Sequence, residues 1–529
     1  MSEKIEHNCG LVGVTDLAGK QNVVLVAQKM AEMLQHRGQR GAGIAWLNDN
    51  GQGQRLSIHK GAGDVKDVLH LPTLNQLGAY STAAIAHTRY ATNAHLERCM
   101  MHPYHYPNKD PSAEFALAFN GNIPDYSEQQ KYLEKRGIHP TLPGDTEIIG
   151  QMIVAGLQDH THGNMKKVFQ SIGGLDGAYN LVLLHGDGNI HAIRDRLGHH
   201  PLAYARNGTL AAVASEDVAI REVWPHANIQ HLQPGESLRF CRESIDVSVK
   251  QIWASERHLC FFELVYFGDH RSHIDGISVS NVRYECGKIL AEQDMQLGFD
   301  GMSESNIVVQ VPESAKTAAN GYSNARRLRR IDAILKNPKP TVKVGRTFIA
   351  DQDRGKMSDE KYEIKAKFVQ GESIILMDDS LVRGTTMKRV EDGEIKGLVR
   401  RLRDAGAVAI HLRLASPPIL APCFYGIDFP TVRELLARRF VDGTLKEGDL
   451  LPDDVLHAIA THLDLDSIRY LPVSAIPRAL GRLKEEICMA CVTGDYPTPN
   501  GKRLYEIANA NNNQFIAANS TMSQSAIAQ

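Results

Sequence analysis

The pattern of apolar residues changes near residue 280, and this change most limits the folds open to the 529-residue chain. Before it, short apolar runs such as LVGV, AIAHTRYAT, FALAFNGNI and AYNLVLLHGDGNIHAIRD are separated by Gly, Asn and Asp turns, as in antiparallel sheets. After it, the strand-like runs NIVVQVP, SIILMDD and AVAIHLRLA alternate with helical stretches, which favours a parallel α/β sheet. Domains usually hold about 100–200 residues, so we expect two large units.

Helical periodicity marks a few segments in each half. In the first half we expect helices near Val24–Gln35 and Thr146–Gln158, and hence an α+β domain of layered antiparallel sheet. In the second half we expect a helix near Val282–Gln296 and one long helix running from MKRV to RLRDAG. The segment after residue 495 is rich in Asn, Ser and Ala, which is typical of a mobile or appended tail.

Composition excludes several classes of protein. The formal net charge is −2, so we expect neither nucleic acid nor an anionic membrane as a partner. The sequence has no run of about 18 apolar residues, so we expect no transmembrane helix. The polar start MSEKIEHN lacks the apolar core of a secretion signal. With eight cysteines the chain is no disulfide scaffold, and we expect a cytoplasmic protein with reduced thiols.

Cys9 lies in NCGLVGV, at the start of an apolar strand-like run. A cysteine thiol has a reference pKa of about 8.5 and is weakly ionised at neutral pH. If the chain is cut after Asn8, the new α-amine, with a pKa of about 7.7–8.0, can act as the base for its own side chain. The alternative is a small buried residue at the start of a strand.

Three further segments carry polar groups suited to an amino-acid substrate. Arg89 in AHTRYAT offers a guanidinium that binds a carboxylate through two hydrogen bonds. Asn120 and Gly121, expected at a turn in FNGN, offer a side-chain amide and a backbone N–H for an oxyanion, although Asn-Gly is also a common hairpin turn. Asp145 in PGDTE could cap a helix or bind a substrate ammonium.

The order CGLVGV…QHRGQRGAGIA…HTRYAT…FNGNI…GDTE…GAYNLVLL…RDRLGHHPLAYA…VASE resembles the class II glutamine amidotransferase domain of the N-terminal nucleophile family. The resemblance spans most of residues 9–240 and implies a four-layer αββα domain over residues 9–250. Residues 1–8 then resemble a propeptide that is removed. The roles that it implies are Cys9 as nucleophile, Arg89 on the glutamine carboxylate, Asp145 on its amino group, and Asn120 with Gly121 on the oxyanion.

The segment ILMDDSLVRGTT carries Asp378 and Asp379 at the end of a strand, followed by a loop with a glycine and three hydroxyl residues that opens a helix. Backbone N–H groups and hydroxyls at a helix N-terminus bind anions, and adjacent carboxylates suit Mg²⁺. The motif therefore predicts a sugar-phosphate site with a metal nearby. The alternative is a strand-end turn without a ligand.

The same motif resembles the phosphoribosylpyrophosphate (PRPP) loop of type I phosphoribosyltransferases, in which the two acids contact ribose hydroxyls or the metal. VQVPESAKTAANGY resembles the pyrophosphate-side segment of that family, which implies that Ser314 is linked to the metal. VGRTFI, with Arg346, resembles part of the loop that closes on PRPP. The residues implied to bind the 5′-phosphate are Ser380, Arg383, Gly384, Thr385 and Thr386.

Both domains in this order, with the second over residues 251–495 and a tail over residues 496–529, resemble the amidophosphoribosyltransferases. The resemblance implies that glutamine, PRPP and water give 5-phosphoribosylamine, pyrophosphate and glutamate, with ammonia channelled between two active sites. It also implies purine nucleotides as feedback inhibitors, and a homodimer or homotetramer. Two alternatives remain: a regulatory paralogue that binds PRPP or nucleotides without catalysis, and another class II amidotransferase.

Cys488 and Cys491 form a CxxC pair, which alone is ambiguous between zinc, redox and iron–sulfur use. Cys260 in HLCFFELVYF and Cys423 in APCFYGID are either core residues or two further ligands. One branch of the amidophosphoribosyltransferases has cysteines in these four contexts, and the resemblance implies a [4Fe–4S] cluster with a structural or oxygen-sensing role. The cysteines expected to be packing or surface residues are Cys99, Cys241 and Cys286.

Three segments of the second domain depart from the family pattern. PKPTVKVGRTFI has Pro340 and Lys343 near positions where a lysine and an aromatic residue are usual, and a proline stiffens a loop. The helix after the PRPP motif is lengthened by an EDGEIKG-like insertion, and YFGDHRSHIDG differs from the usual Ala-Arg-Pro-Asp-Ser-like stretch. These departures motivate the regulatory alternative.

Overall fold

The computed structural model describes residues 9–48, 55–90, 100–159, 165–299, 306–337, 361–391, 394–427, 429, 431–446 and 450–527. It divides into two compact units. The first unit holds the chain up to Cys260 with Phe267–Ser278 and Phe424–Ile427, and the second holds Phe261–Tyr266, Val279–Cys423 and the chain from Asp428 onwards. Two segments beyond residue 260 therefore fold with the first unit.

The first unit contains two sheets in which neighbouring strands are antiparallel. The seven-stranded sheet has the spatial order Ile229–His231, Ala203–Asn207, Leu210–Ala214, Gly10–Asp16, Ala83–Arg89, Gly41–Leu47 and Leu56–Ala62. The six-stranded sheet has the order Asp246–Gln251, Glu236–Cys241, Ile190–Arg194, Ala178–His185, Phe115–Asn122 and Tyr104–Tyr106. The other strands of the first unit are Leu259–Cys260, His273–Ile274 and Ile277–Ser278.

Helices pack on one face of each sheet, and an apolar core fills the space between the sheets. The helices against the seven-stranded sheet are Val24–Met33, Val65–Val68, Leu71–Gln76 and Asp217–Val223. Those against the six-stranded sheet are Ser127–Lys135, Asp145–Asp159 and Met165–Ser171. Because side chains alternate along a strand, Leu11 packs between the sheets while Val12 and Val14 pack against helices. This four-layer αββα arrangement confirms the fold predicted for the first half.

The second unit is built on a five-stranded parallel sheet. Its spatial order is Arg329–Arg330, Asn306–Gln310, Ser373–Asp378, Ala409–Leu414 and Ser467–Tyr470. Its helices are Val279–Gln296, Lys316–Arg326, Leu398–Asp404, Asp453–Leu463, Ala475–Leu480, Ala490–Thr493 and Pro499–Ile527. The remaining strands are Ile334–Lys336, Tyr362–Ile364, Arg389–Glu391, Glu394–Lys396 and Ile487–Cys488.

The central strands of this sheet are apolar on both faces, as a covered parallel strand requires. Ile374, Ile375, Leu376 and Met377 are all fully buried. The predicted parallel α/β sheet is therefore confirmed. The segment after residue 495, expected to be a mobile or appended tail, contains the helix Pro499–Ile527. In the part of the chain that the structure describes, no helix combines the length and hydropathy needed to cross a bilayer.

The segment after the DDSLVRGTT motif is not the single long helix that its periodicity predicts. After one helical turn, in which the carbonyl of Gly384 accepts hydrogen bonds from the N–H groups of Met387 and Lys388 at 3.0 Å, the chain leaves as a β-hairpin. Its strands are Arg389–Glu391 and Glu394–Lys396. The sequence carries the signal for this turn in Asp-Gly at positions 392 and 393, since that pair favours two-residue hairpin loops.

The helical hydrogen bonds nevertheless continue across the hairpin. The N–H of Leu398 donates to the carbonyl of Thr386 at 2.9 Å, and the N–H of Val399 donates to that of Met387 at 3.1 Å. Gly397 allows the return, because it has φ +121° and a Cβ there would lie 2.5 Å from the carbonyl oxygen of Met387. The predicted insertion is thus a hairpin looped out of a helix that resumes beyond it.

Deleting residues 389–396 is expected to leave the second unit folded. Removal of these eight residues turns the bonds from Leu398 and Val399 into ordinary i→i−4 helical bonds. Loop length contributes weakly to stability, so the free energy of unfolding should change by no more than about 1 kcal/mol. Urea denaturation checks this, and loss of cooperative unfolding would show that the hairpin supports the fold.

Candidate active site

Cys9 directly precedes the strand Gly10–Asp16 and is 1% exposed. Its backbone nitrogen donates to Oδ1 of Asn120 at 2.9 Å, and its carbonyl accepts a hydrogen bond from Nε of Arg37 at 3.3 Å. The atom that a cut after Asn8 would convert into an α-amine is therefore held beside the side chain predicted to bind the oxyanion.

Asn120 and Gly121 lie within the strand Phe115–Asn122, not at the turn that the sequence suggested. Asn120 is fully buried, and its Nδ2 has no hydrogen-bond partner within the described residues. Gly121 has φ +150°, and a Cβ there would lie 2.1 Å from the carbonyl oxygen of Ala178, so only glycine fits. The structure therefore leaves an unused amide donor beside Cys9, which is what an oxyanion site requires.

Asp145 opens the helix Asp145–Asp159 and contacts the backbone that follows Gly121. Its Oδ2 accepts from the N–H of Ile123 at 3.0 Å and its Oδ1 from that of Thr146 at 2.7 Å. Burial raises the pKa of Asp145 to about 6, against these hydrogen bonds and the charge of Arg89. Arg89 ends the strand Ala83–Arg89 and is 6% exposed. Since its positive charge lowers the pKa of Asp145, the two residues predicted to bind glutamine interact electrostatically.

The raised pKa of Asp145 predicts a pH dependence of glutamine use. The ionised carboxylate binds the substrate ammonium, so kcat/KM for glutamine should fall about tenfold per pH unit below the Asp145 pKa of about 6. Asp145→Asn should lower kcat/KM and remove this acidic limb, which initial rates between pH 5 and 8 will show. A flat wild-type profile down to pH 5 would contradict the assignment. Because the folded pKa exceeds the unfolded one, the contribution of Asp145 to stability falls as pH rises from 4 to 6.

Two residues near Cys9 were missed in the sequence. Arg37, in the QHRGQRG run, contacts the carbonyl of Cys9, and Glu216, in VASE, accepts a hydrogen bond from Nη1 of Arg37 at 2.7 Å. The two lie 179 positions apart, and nothing in either run indicates that they meet. Only the pairing of Gly10–Asp16 with Leu210–Ala214 brings them together.

The residues of the second predicted site line a cavity of about 80 Å³ in the second unit. The strand Ser373–Asp378 delivers the two acids to it. Residues of the cavity wall that were predicted are Ser314, Asp378, Asp379, Ser380, Arg383, Gly384, Thr385 and Thr386, and residues that the sequence analysis missed include Tyr266, Lys361 and Tyr362. Every described member of the predicted set therefore lines one cavity, while Arg346 lies outside the described residues.

Asp378 and Asp379 are buried side by side and repel one another. Oδ1 of Asp378 accepts from the N–H of Asp379 at 2.9 Å, and Asp379 accepts from the hydroxyls of Ser314 and Ser380. Burial and the charge of Asp379 raise the pKa of Asp378 well above its usual value. Burial likewise raises the pKa of Asp379, against the hydrogen bonds and the charge of Arg283. Two carboxylates that resist ionising together fit a divalent cation, which prefers such oxygen ligands.

The loop after the acids offers hydrogen-bond donors other than the helix N-terminus that the sequence predicted. Because only one helical turn follows Gly384 before the hairpin, a long helix N-terminus does not face the cavity. The donors are instead loop N–H groups and the hydroxyls of Ser380, Thr385 and Thr386. Nε of Arg383 donates to Glu434 at 2.6 Å. The guanidinium predicted to bind phosphate is therefore already paired with a carboxylate.

The cysteines predicted to hold a cluster are divided between the units. Cys423, Cys488 and Cys491 belong to the second unit, and Cys260 belongs to the first. All four are buried. Burial and the charge of Cys423 raise the pKa of Cys488 to about 12. The charges of all three cysteines of the second unit also raise the pKa of the Tyr496 hydroxyl. They therefore lie near one another, although no group of three His, Cys, Asp or Glu among the described residues is arranged as a metal site.

The other cysteines fit the expectation of packing residues where the structure describes them. Cys241 and Cys286 are buried, and burial raises the pKa of Cys286 to about 12. A thiol of this kind stays protonated and is a poor nucleophile. Cys99 lies outside the described residues.

Comparison with known proteins identifies both halves together. A family model described as a glutamine amidotransferase domain matches residues 99–222. The amidophosphoribosyltransferase of Methanothermobacter thermautotrophicus is 32% identical over 94% of this chain and 96% of its own length. That of Bacillus subtilis is 30% identical over 93% of this chain and 95% of its own.

Solved structures agree over the same span. Glutamine PRPP amidotransferase from B. subtilis, complexed with ADP and GMP, matches with a TM-score of 0.75 at 30% identity, covering 93% of this chain and 97% of that one. A structure described as the allosteric regulatory enzyme of purine biosynthesis matches with a TM-score of 0.76 at 29% identity, covering 93% and 96%. Since relatives at 30% identity or more align over nearly all of both chains, this chain belongs to the amidophosphoribosyltransferase family.

Proposed function

We propose that the chain makes 5-phosphoribosylamine, pyrophosphate and glutamate from glutamine, PRPP and water, the first step of purine synthesis. The observation that carries this is the presence in one chain of a buried cysteine beside an unused amide donor and of a paired-acid cavity. Relatives named for this reaction align over both sites. The same span disfavours a different class II amidotransferase, whose second domain would lack the DDSLVRGTT segment.

In the first half-reaction, removal of residues 1–8 frees the amine of Cys9, which takes the proton of the Cys9 thiol. Arg89 binds the glutamine carboxylate and Asp145 its ammonium, so that the side-chain amide faces the sulfur. The thiolate attacks that amide carbon, and Nδ2 of Asn120 with the N–H of Gly121 stabilises the oxyanion. The protonated amine of Cys9 then gives its proton to the leaving nitrogen, so that collapse of the intermediate expels ammonia and leaves a thioester, which water hydrolyses to glutamate.

In the second half-reaction, the cavity of the second unit holds PRPP. Asp378, Asp379 and Ser314 fit Mg²⁺, which when bound would balance the negative charge of the pyrophosphate. The hydroxyls of Ser380, Thr385 and Thr386 and the N–H of Gly384 bind the 5′-phosphate. These contacts orient ribose C1 for attack by ammonia as pyrophosphate leaves. Ammonium predominates at neutral pH and is not nucleophilic, so ammonia must pass between the sites out of bulk water.

Several further properties are proposed with the function. The complex of the B. subtilis relative with ADP and GMP supports purine nucleotides as feedback inhibitors. A homodimer or homotetramer and a cytoplasmic location stay predictions from the sequence. The departures in the closing loop, whose Arg346 lies outside the described residues, keep a regulatory paralogue as the second candidate.

A [4Fe–4S] cluster on Cys260, Cys423, Cys488 and Cys491 is also proposed. Its support is the burial of all four thiols and the mutual influence of the three in the second unit. A cluster would supply a structural or oxygen-sensing element, and no reaction step depends on it. Iron and acid-labile sulfide should be present at four equivalents each in anaerobically purified protein. One equivalent of zinc without iron would show a structural zinc site instead.

The decisive test is pyrophosphate release by anaerobically purified protein. We expect release that requires glutamine, PRPP and Mg²⁺ together, and restored growth of a purine-requiring strain that lacks the enzyme. Glutamine hydrolysis without any consumption of PRPP would favour the regulatory paralogue. Intact mass and N-terminal sequencing should show a chain that begins at Cys9, and an uncleaved active chain would remove the amine as base.

A further inference from the structure

A buried carboxylate behind Cys9 collects four hydrogen bonds on its two oxygens. Oε1 of Glu216 contacts Nη1 of Arg37 at 2.7 Å and Nε2 of His36 at 2.8 Å. Its Oε2 accepts from the backbone N–H of Asp269 at 2.8 Å and from the hydroxyl of Ser272 at 2.6 Å. With both oxygens engaged, the carboxylate has a single orientation.

This carboxylate fixes the arginine that contacts the nucleophile. The side chains of Glu216 and Arg37 are both 0% exposed, and a buried ion pair depends on both partners because neither charge can turn to water. Although burial opposes ionisation, the charges of His36 and Arg37 and the hydrogen bonds hold the pKa of Glu216 well below its usual value. Arg37 therefore stays aligned with the Cys9 carbonyl that its Nε contacts.

The segment that completes this arrangement is one of the three that depart from the family pattern. Asp269 and Ser272 lie in GDHRS, within Phe267–Ser278 of the first unit. Two donors from this segment therefore act on Oε2, while the cationic side chains act on Oε1. The changed sequence keeps a hydroxyl and a backbone donor directed at the glutaminase site.

We propose that Glu216, supported by Ser272, is a positioning residue for glutamine hydrolysis. It holds Arg37 on the carbonyl of Cys9 and thereby fixes the backbone of Cys9, whose nitrogen donates to Asn120. Since no hydrogen bond or ion pair among the described residues joins Glu216 to Arg89 or Asp145, its loss should affect the chemical step and leave glutamine binding in place.

Glu216→Gln is the direct test, and the inference rests on the proposed function. We expect kcat for glutamine hydrolysis to fall about 100-fold, the size of effect that a 1 Å misplacement of a reacting group produces, with KM changed by less than about threefold. The matched control is Glu222→Gln on the helix that directly follows Glu216, an exposed carboxylate that pairs with Lys29 at 3.4 Å. Circular dichroism and the thermal midpoint report folding, and ammonia-dependent synthesis reports the second unit.

Ser272 provides a milder pair of variants in case Glu216→Gln does not fold. Ser272→Ala removes one donor to Oε2 and should lower kcat about threefold to tenfold, whereas Ser272→Thr retains the hydroxyl and should restore it. A purely structural role would lower the thermal midpoint without this split between kcat and KM. Unchanged kcat in folded Glu216→Gln or Ser272→Ala, or a loss confined to KM, would overturn the positioning role.

The wild-type rate separates this inference from the function on which it rests. If the wild type and the variants all hydrolyse glutamine at the normal rate, only the positioning role of Glu216 is refuted. Absence of wild-type hydrolysis in cleaved, cluster-replete protein would remove the glutaminase function itself, and the positioning role with it.

Discussion

Cys9→Ala should abolish glutamine-dependent synthesis of 5-phosphoribosylamine while ammonia-dependent synthesis continues. The substitution removes the attacking thiol, and loss of a nucleophile typically costs at least about 10⁴-fold in kcat. Ammonium chloride at high pH supplies neutral ammonia directly, so the second unit needs no contribution from Cys9. Initial rates of pyrophosphate release with each nitrogen source measure the two activities separately.

Cys241→Ala is the matched control for this experiment. Cys241 is a free cysteine of the same unit, 6% exposed, and we expect both activities to survive its removal. Loss of the ammonia-dependent rate in Cys9→Ala would indicate that Cys9 supports the structure and does not act as the nucleophile.

Asp379→Asn should impair the PRPP reaction and spare glutamine hydrolysis, the reverse of Cys9→Ala, because it removes one of the paired acids from the second cavity. Without that charge the cavity loses a ligand suited to Mg²⁺. We expect at least about a 100-fold loss of PRPP turnover with either glutamine or ammonia, comparable to or larger than the loss of a group that supports a metal ligand. Glutamine hydrolysis by Cys9 should persist at a measurable rate.

The control for the second experiment is Asp404→Asn, an exposed acid of the same unit that pairs with Arg400. PRPP binding, followed by calorimetry with and without Mg²⁺, should weaken in Asp379→Asn and remain unchanged in the control. Full turnover by Asp379→Asn would mean that the second cavity does not hold the reacting phosphosugar.

Local patterns in the sequence were enough to predict the type of sheet in each unit, whereas the four layers of the first unit were implied by the family resemblance. Apolar runs such as LVGV between Gly, Asn and Asp turns predict antiparallel strands, and the run from Ile374 to Met377 predicts a buried strand. Both patterns arise from side-chain periods of the backbone itself. They need no knowledge of which strand lies beside which.

What local patterns could not predict were contacts between distant positions and a competing turn. Arg37 and Glu216 meet only after the sheet has formed, so no window of sequence contains their pair. Asn120 and Gly121 were placed at a turn because Asn-Gly favours one, yet tertiary pairing with Asn180 and Tyr179 keeps them in a strand. In the second unit, Asp-Gly at 392–393 favours a hairpin, but the helical periodicity around it led to the prediction of one long helix.

The hairpin of Arg389–Glu391 and Glu394–Lys396 offers a place to attach a reporter. A helical hydrogen bond joins Thr386 to Leu398 directly. Residues inserted between the two hairpin strands should therefore disturb neither the helix nor the five-stranded sheet. The hairpin begins two residues after Met387, which lines the cavity with the paired acids. A small fluorophore at the exposed Val390, 70% accessible to solvent, would therefore give an optical signal of ligand occupancy that requires no turnover.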